Sequence, residues 1–190
     1  MKSKLLTLSF ALSCAFAGNA MAMTQVEYKT EKDRASGDYK VAKDKCGSLK
    51  DNAKDICMSE AKGAEKVAKA EAESKYKPTA RNTENVAMAK ADAAYNTARE
   101  KCDDLSGNAK DVCVKDAKVV HTKAKSDAKV SKVSATTGSA NSERATDAKN
   151  DATNDQRQAM FKAANERCDA LTGAPKDACQ VDAKTKFGMK

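Results

Sequence analysis

Glu100–Lys118 reads EKCDDLSGNAKDVCVKDAK, with Cys102 and Cys113 placed almost symmetrically about Gly107 and Asn108. The stretch has the chemistry of a helical hairpin tip. Glycine suits the left-handed residue that closes a helix, and Asn108 followed three residues later by Asp111 is a capping-box-like start for the next one. Folding about that bend sets two antiparallel helices side by side with their cysteines at one height. Alanine-lined faces permit the close approach a disulfide needs, within roughly 7 Å between Cα atoms.

The same pattern occurs twice more. KDKCGSLKDNAKDICMSEAK carries Cys46 and Cys57, and NERCDALTGAPKDACQVDAK carries Cys168 and Cys179. In all three units ten residues separate the cysteines, Lys-Asp stands just before the second, and an acid-Ala-Lys triplet follows it. Such self-similarity marks a repeat architecture. Upstream, Tyr39, Ala42, Cys46 and Leu49 match Tyr95, Ala98, Cys102 and Leu105, and Phe161, Ala164, Cys168 and Leu171. These steps of three, four and three define one helix face. On the returning helix the expected partner stripe is Ala53, Cys57, Ala61, Ala64 and Ala68, or Ala109, Cys113, Ala117, Val120 and Ala124. Both stripes read as core.

The expected fold is therefore all-α, three tandem disulfide-stapled helical hairpins, elongated or loosely bundled. The first hairpin is expected over 23–77, ending where Pro78 forbids continuation, and a polar connection over 78–83. The second hairpin is expected over 84–132, a small-residue linker over 133–141, and the third hairpin over 142–190, its first helix partly frayed before Phe161. Two departures mark the softest tips: Asp51 stands where the others have Gly107 and Gly173, and Ala174-Pro175 replaces the Asn-Ala pair.

Six cysteines beyond residue 22 permit 15 pairings. The repetition selects Cys46–Cys57, Cys102–Cys113 and Cys168–Cys179, because each unit is then chemically complete. The alternative is one continuous helix through each pair, which would hold the cysteines about three turns apart and predict bridges between chains. The Gly and Asn at two of the three midpoints favour the hairpin.

The opening MKSKLLTLSFALSCAFAGNAMA combines Lys2 and Lys4, an apolar run from Leu5 to Ala17, and an Ala20-Met21-Ala22 cleavage signal. It reads as a secretory signal removed after Ala22, giving a periplasmic or secreted protein with no transmembrane anchor. Cys14 lacks the aliphatic residue that a lipidation site wants three positions upstream. Beyond residue 22, Leu, Ile, Val and Phe number only 17, well under the one-fifth level at which chains struggle to bury a core. Alanine-rich helices form readily but contribute little hydrophobic stabilisation, at roughly 25 cal/mol per Å² of apolar area. They need the staples.

The chain carries 35 Lys and Arg against 27 Asp and Glu, but acids and bases alternate along the helices. That pattern suits solvated faces and at most weak attraction to an anionic envelope polymer. Without interleaved aromatics it does not point to specific nucleic-acid binding. No catalytic motif is present, so no enzyme activity and no cofactor are expected. The Lys54-Asp55, Lys110-Asp111 and Lys176-Asp177 pairs read as first-turn helix residues. Thiol-based metal or redox binding is the sharper alternative for the cysteines, although a ten-residue spacing matches neither C-x-x-C nor the usual zinc patterns. His121, the single histidine, reads as a solvent-facing helix residue, and Met58, Met88 and Met160 occupy unrelated repeat positions. Val112, Val119, Val120 and Val130 form either an interface or the inner face between hairpins.

Stretches such as AKGAEKVAKAEAESK and AKVVHTKAKSDAKVSK resemble the helical stalk of TolA-like envelope proteins of Gram-negative bacteria. KVAKDKCGSLKDNAKD and ATDAKNDATND resemble the repeats of late-embryogenesis-abundant and other hydrophilic stress proteins. The first resemblance implies a non-catalytic envelope structural or interaction protein with an envelope partner. The second implies a stress-protective role without a fixed site.

Overall fold

In the computed structural model, which describes residues 23–137 and 142–189, the chain forms six helices and, among those residues, no strand. They are α1 (Gln25–Cys46), α2 (Asp51–Tyr76), α3 (Ala80–Cys102), α4 (Gly107–Thr137), α5 (Ser142–Cys168) and α6 (Ala174–Phe187). The signal sequence expected over 1–22, Cys14 within it, and the linker residues 138–141 lie outside the described residues.

Each hairpin is stapled within itself. Cys46–Cys57, Cys102–Cys113 and Cys168–Cys179 are bridged with Cα atoms 5.6, 5.7 and 5.6 Å apart. Helix α1 starts with a capping box in which Glu27 accepts from the Thr24 backbone at 2.8 Å and Thr24 Oγ1 accepts from the Glu27 N–H at 3.3 Å. Thr79 caps α3 by accepting from the Asn82 N–H at 3.1 Å. The first helix of each hairpin stops at its cysteine. The leucine three residues on then donates its backbone N–H to that cysteine's carbonyl, in Leu49, Leu105 and Leu171 alike, at 3.0 to 3.1 Å. These leucines belong to the turn and are exposed, so the seam ends at the cysteine.

The left-handed residue sits at the entry to the second helix instead of closing the first. Gly107 and Gly173 have φ of 56° and 63°, and Asp51 takes the same conformation at φ 50°. Asp is among the few residues that visit this region without glycine's freedom, which is how the first repeat manages without glycine. Two boundaries differ from expectation: α3 begins at Ala80, within the expected connection, and α4 continues to Thr137, through the start of the expected linker. Helix α5 is continuous from Ser142 to Cys168, because its alanines Ala152 and Ala163 are buried although the sequence around them shows little apolar periodicity.

The extensive contacts join only chain neighbours, α1 with α2, α2 with α3, α3 with α4, α4 with α5 and α5 with α6. The helices therefore form an open antiparallel row with the three stapled tips along one edge and the α2–α3 turn on the other. Among the described residues, the buried apolar side chains are alanines and cysteines alone, and the largest fully buried ones are Cys46, Cys102 and Cys168. One sulfur of each bridge is thus fully enclosed. On α2 and α4 the expected stripes are right at Cys57 and Ala61 or at Cys113 and Ala117, but Ala53, Ala64, Ala109 and Val120 face solvent.

A bridge closing a loop of this size contributes roughly 3 kcal/mol by the chain-entropy estimate, a large fraction of what a thin alanine core supplies. Reduction is expected to lower far-UV helicity and the melting temperature. Unchanged circular dichroism with and without reductant contradicts the staple's role.

Candidate functional site

The row offers two kinds of built polar structure, one between hairpins and one inside them. Between hairpins, the asparagine at each tip reaches into the next unit. Asn52 Nδ2 donates to the Glu100 carbonyl at 2.7 Å and to Asp104 Oδ1 at 2.8 Å. Asn108, in the equivalent place, donates to the Glu166 carbonyl at 2.8 Å. Each amide adds a second donor to a carbonyl in the last turn of the following helix, one that already accepts the backbone N–H of Asp103 or Asp169 at 3.0 and 3.1 Å. Asn108, expected as a cap for its own helix, thus clamps α4 to α5.

Ion pairs repeat alongside the clamps. The acid after the second cysteine meets the base before the next unit's first cysteine, as Glu60–Lys101 at 3.4 Å and Asp116–Arg167 at 2.5 Å. Between them and the row's other edge, Gly63 packs so closely on Ala93 that a Cβ there would lie 2.8 Å from the alanine's own. The Lys-Asp pairs are also partly explained: Lys110 and Lys176 close their own tips on Asp103 and Asp169 at 2.9 and 2.8 Å.

Inside the first two hairpins, the position eight residues beyond the second cysteine is polar and faces inward. In the first unit Ser36 donates to Glu65 at 3.2 Å and Glu65 accepts from Lys69 at 2.6 Å. In the second the equivalent residues are Asp92, His121 and Lys125, with His121 Nε2 2.6 Å from Asp92 Oδ1 and Lys125 Nζ 3.5 Å from the same oxygen. A carboxylate only accepts, so Nε2 carries the proton in this bond. His121 is not solvent-facing: it is 8% exposed, stacks on Tyr95 at 4.5 Å between ring centroids, and keeps Nδ1 buried without a hydrogen-bond partner. The sequence read Val120 into this face. The helix turns one residue further and places the imidazole there.

Electrostatics follow the partners. For Glu65 the hydrogen bond from Lys69 is the largest influence and outweighs burial, so its carboxyl lies below the usual range. Burial pushes the Asp92 carboxyl up, but the bond from His121 and the charge of Lys125 together outweigh it and leave the group lowered.

The predicted cysteines are brought together as three bridges, which removes their thiols as nucleophiles or metal ligands in the oxidised chain. Among the described residues no cluster of three or more His, Cys, Asp or Glu is placed to hold a metal ion. Met58, Met88 and Met160 lie on different helices, α2, α3 and α5. Val119 lines a groove of about 510 Å³ with Met160 and Ala163 between α4, α5 and α6, so this part of the valine stripe is inner face. No described helix is long and apolar enough to cross a membrane.

No protein-family model, curated protein or solved structure matches the chain. The arrangement itself carries the functional reading.

The seam clamp is open to direct test. Asn108→Ala is expected to cost about 1 kcal/mol, the net worth of one hydrogen bond, read as a lower midpoint in denaturant with an unchanged slope. Ala174→Asn, at the equivalent place in the last unit, is expected to leave the monomer's stability unchanged because Ala174 is exposed and α6 packs extensively only on α5 among the described helices.

Acid sensitivity follows from the two carboxylates. A group whose pKa is lower folded than unfolded contributes stability above its unfolded value and loses it as pH falls through the folded one. The ordinary values are 4.5 for Glu65 and 3.8 for Asp92, so their contribution is intact near neutrality and disappears below that range. In a melting-temperature titration, the double variant Glu65→Gln/Asp92→Asn is expected to show a shallower acid-side fall than the parent; parallel curves refute it.

Proposed function

We propose that the protein is a non-catalytic structural or interaction component of the cell envelope, acting in the periplasm or outside the cell once residues 1–22 are removed. The observation that carries this reading is the set of three within-hairpin disulfides at every tip of an otherwise alanine-cored row. Such bridges persist in oxidising compartments and are rare in the cytosol. The side chains with chemical potential, the cysteines and His121, are committed to holding helices together. What the molecule presents outward is a long, rigid, charge-alternating surface, suited to an envelope protein or, through its positive excess, an anionic envelope polymer.

A second reading, a hydrophilic stress-protective protein, is favoured by the scarcity of large buried apolar side chains, since the interior is alanine and cysteine. The two separate on their dependence on the bridges. A stress protectant shields a labile enzyme during drying equally well oxidised or reduced; a structural module does not survive reduction as a functional unit.

The test is expression of the full chain in a Gram-negative host, followed by fractionation, intact mass and a non-reducing peptide map. Expected are a periplasmic product lacking residues 1–22, six blocked thiols in the three within-hairpin pairs, and a reproducible envelope partner after crosslinking in cells. A cytosolic product with free thiols sinks the reading.

A further inference from the structure

The two ends of the row are the two halves of the joint that the molecule already uses twice internally. In the joint between the first and second hairpins, α2 presents Ser59, Glu60 and Gly63, and α3 receives them with Thr97, Lys101 and Ala93. Ser59 and Thr97 hydroxyls lie 3.3 Å apart and Glu60 meets Lys101 at 3.4 Å. The joint between the second and third hairpins repeats the register, with Asp116 on Arg167 at 2.5 Å. Counting from the cysteines, the presenting residues of the last hairpin are Val181, Asp182 and Thr185 on α6. The receiving residues of the first are Val41, Lys45 and Gly37 on α1.

Among the described residues neither end face is covered. Helix α1 packs extensively only on α2, and α6 only on α5. Val41 is 55% and Val181 59% exposed, although they are the two positions that touch across the first internal joint. Gly37 has open space around it where its counterpart Ala93 meets Gly63. Asp182 and Lys45 are exposed and make no ion pair among the described residues. The faces are complementary in charge, and each carries a valine where the first internal joint carries a hydroxyl.

We infer that α6 of one copy of this chain docks on α1 of the next, Asp182 against Lys45 and Val181 against Val41, continuing the row from molecule to molecule. The occupant is a second copy because both halves of a joint of known register stand on one chain. The contact is head-to-tail, so it leaves a free face at each end of every assembly and does not stop at a dimer unless the curvature closes a ring. It is also weak. Helix α6 has only 14 residues, about 21 Å of length, against 26 and 31 residues in the helices α2 and α4 that form the internal joints. Ala174 replaces the clamping asparagine, so the intermolecular joint lacks a bond its internal models have. Association is expected at concentrations of roughly 10⁻⁴ M and above. The inference does not depend on the compartment proposed above.

Sedimentation equilibrium of the purified oxidised protein over a range of concentrations tests it, with non-reducing gels confirming that no bridge forms between chains. The weight-average mass is expected to rise with concentration and less so at high salt. Lys45→Glu and Asp182→Lys are each expected to stay monomeric, with unchanged circular dichroism because both sites are exposed. Their equimolar mixture is expected to associate again, since Asp182 of the first variant faces Lys45 of the second and the reversed pair is equally complementary. Ala174→Asn is expected to lower the onset concentration about fivefold, the equivalent of one added hydrogen bond of about 1 kcal/mol. A parent that remains monomeric throughout, or single variants that associate like the parent, overturns the inference, as does a mixture no more associated than its components.

Discussion

Everything in this structure depends on a covalent brace between two helices that have little else to hold them. A helix hairpin with leucines at its seam excludes water by itself. Here the seam is alanine, whose small side chain removes little area from water but lets the backbones come close. That closeness is what brings the cysteine Cα atoms to within 5.7 Å or less. The two facts are one design: the thinness that weakens hydrophobic packing is the condition for the bridge that offsets it. The bridge also fixes the relative height of the helices, and the polar contacts further along the hairpin inherit that register.

With the register fixed, chemistry inside the hairpin becomes interchangeable. Ser36–Glu65–Lys69 and Asp92–His121–Lys125 occupy the same positions with a hydroxyl, carboxylate and ammonium in one and a carboxylate, imidazole and ammonium in the other. Each is a short chain of donors and acceptors across the seam. The last unit places Phe187, partly buried, at the site of Glu65 and His121. Such freedom is what a row one helix thick permits. Its polar groups lie near water, so a change of residue rarely strands an unpaired charge in the interior.

The sequence carried the architecture openly and the joints not at all. Hairpin count and cysteine pairing were legible because each repeats, and a repeat is its own control. The returning stripe went wrong at its first position, Ala53 and Ala109, and again at its fourth. An apolar seven-residue spacing selects Ala64 and Val120, whereas the helices carry on by fours and bring Glu65 and His121 inward, where polar residue type argues against them. The two tip asparagines failed for a different reason: Asn108 with Asp111 has the pattern of a local cap, and nothing within a single hairpin reveals that its amide reaches a carbonyl 58 residues away. Contacts between repeats have no periodicity to betray them.

An open row also has a problem that closed bundles avoid. Every interior helix uses two flanks and each end helix only one, so α1 and α6 resemble the edge strands of a sheet, presenting a half-interface that the rest of the fold shows how to complete. Repeat proteins usually blunt their ends with polar capping units. The last hairpin here does so in part: Ala174 drops the asparagine clamp, Pro175 takes over the first turn, and α6 is cut to 14 residues where α2 and α4 run to 26 and 31. What it keeps is the acid at Asp182, and it adds a valine beside it. The acid holds the register place of Glu60 and Asp116, the residues that carry the ion pairs across the two internal joints.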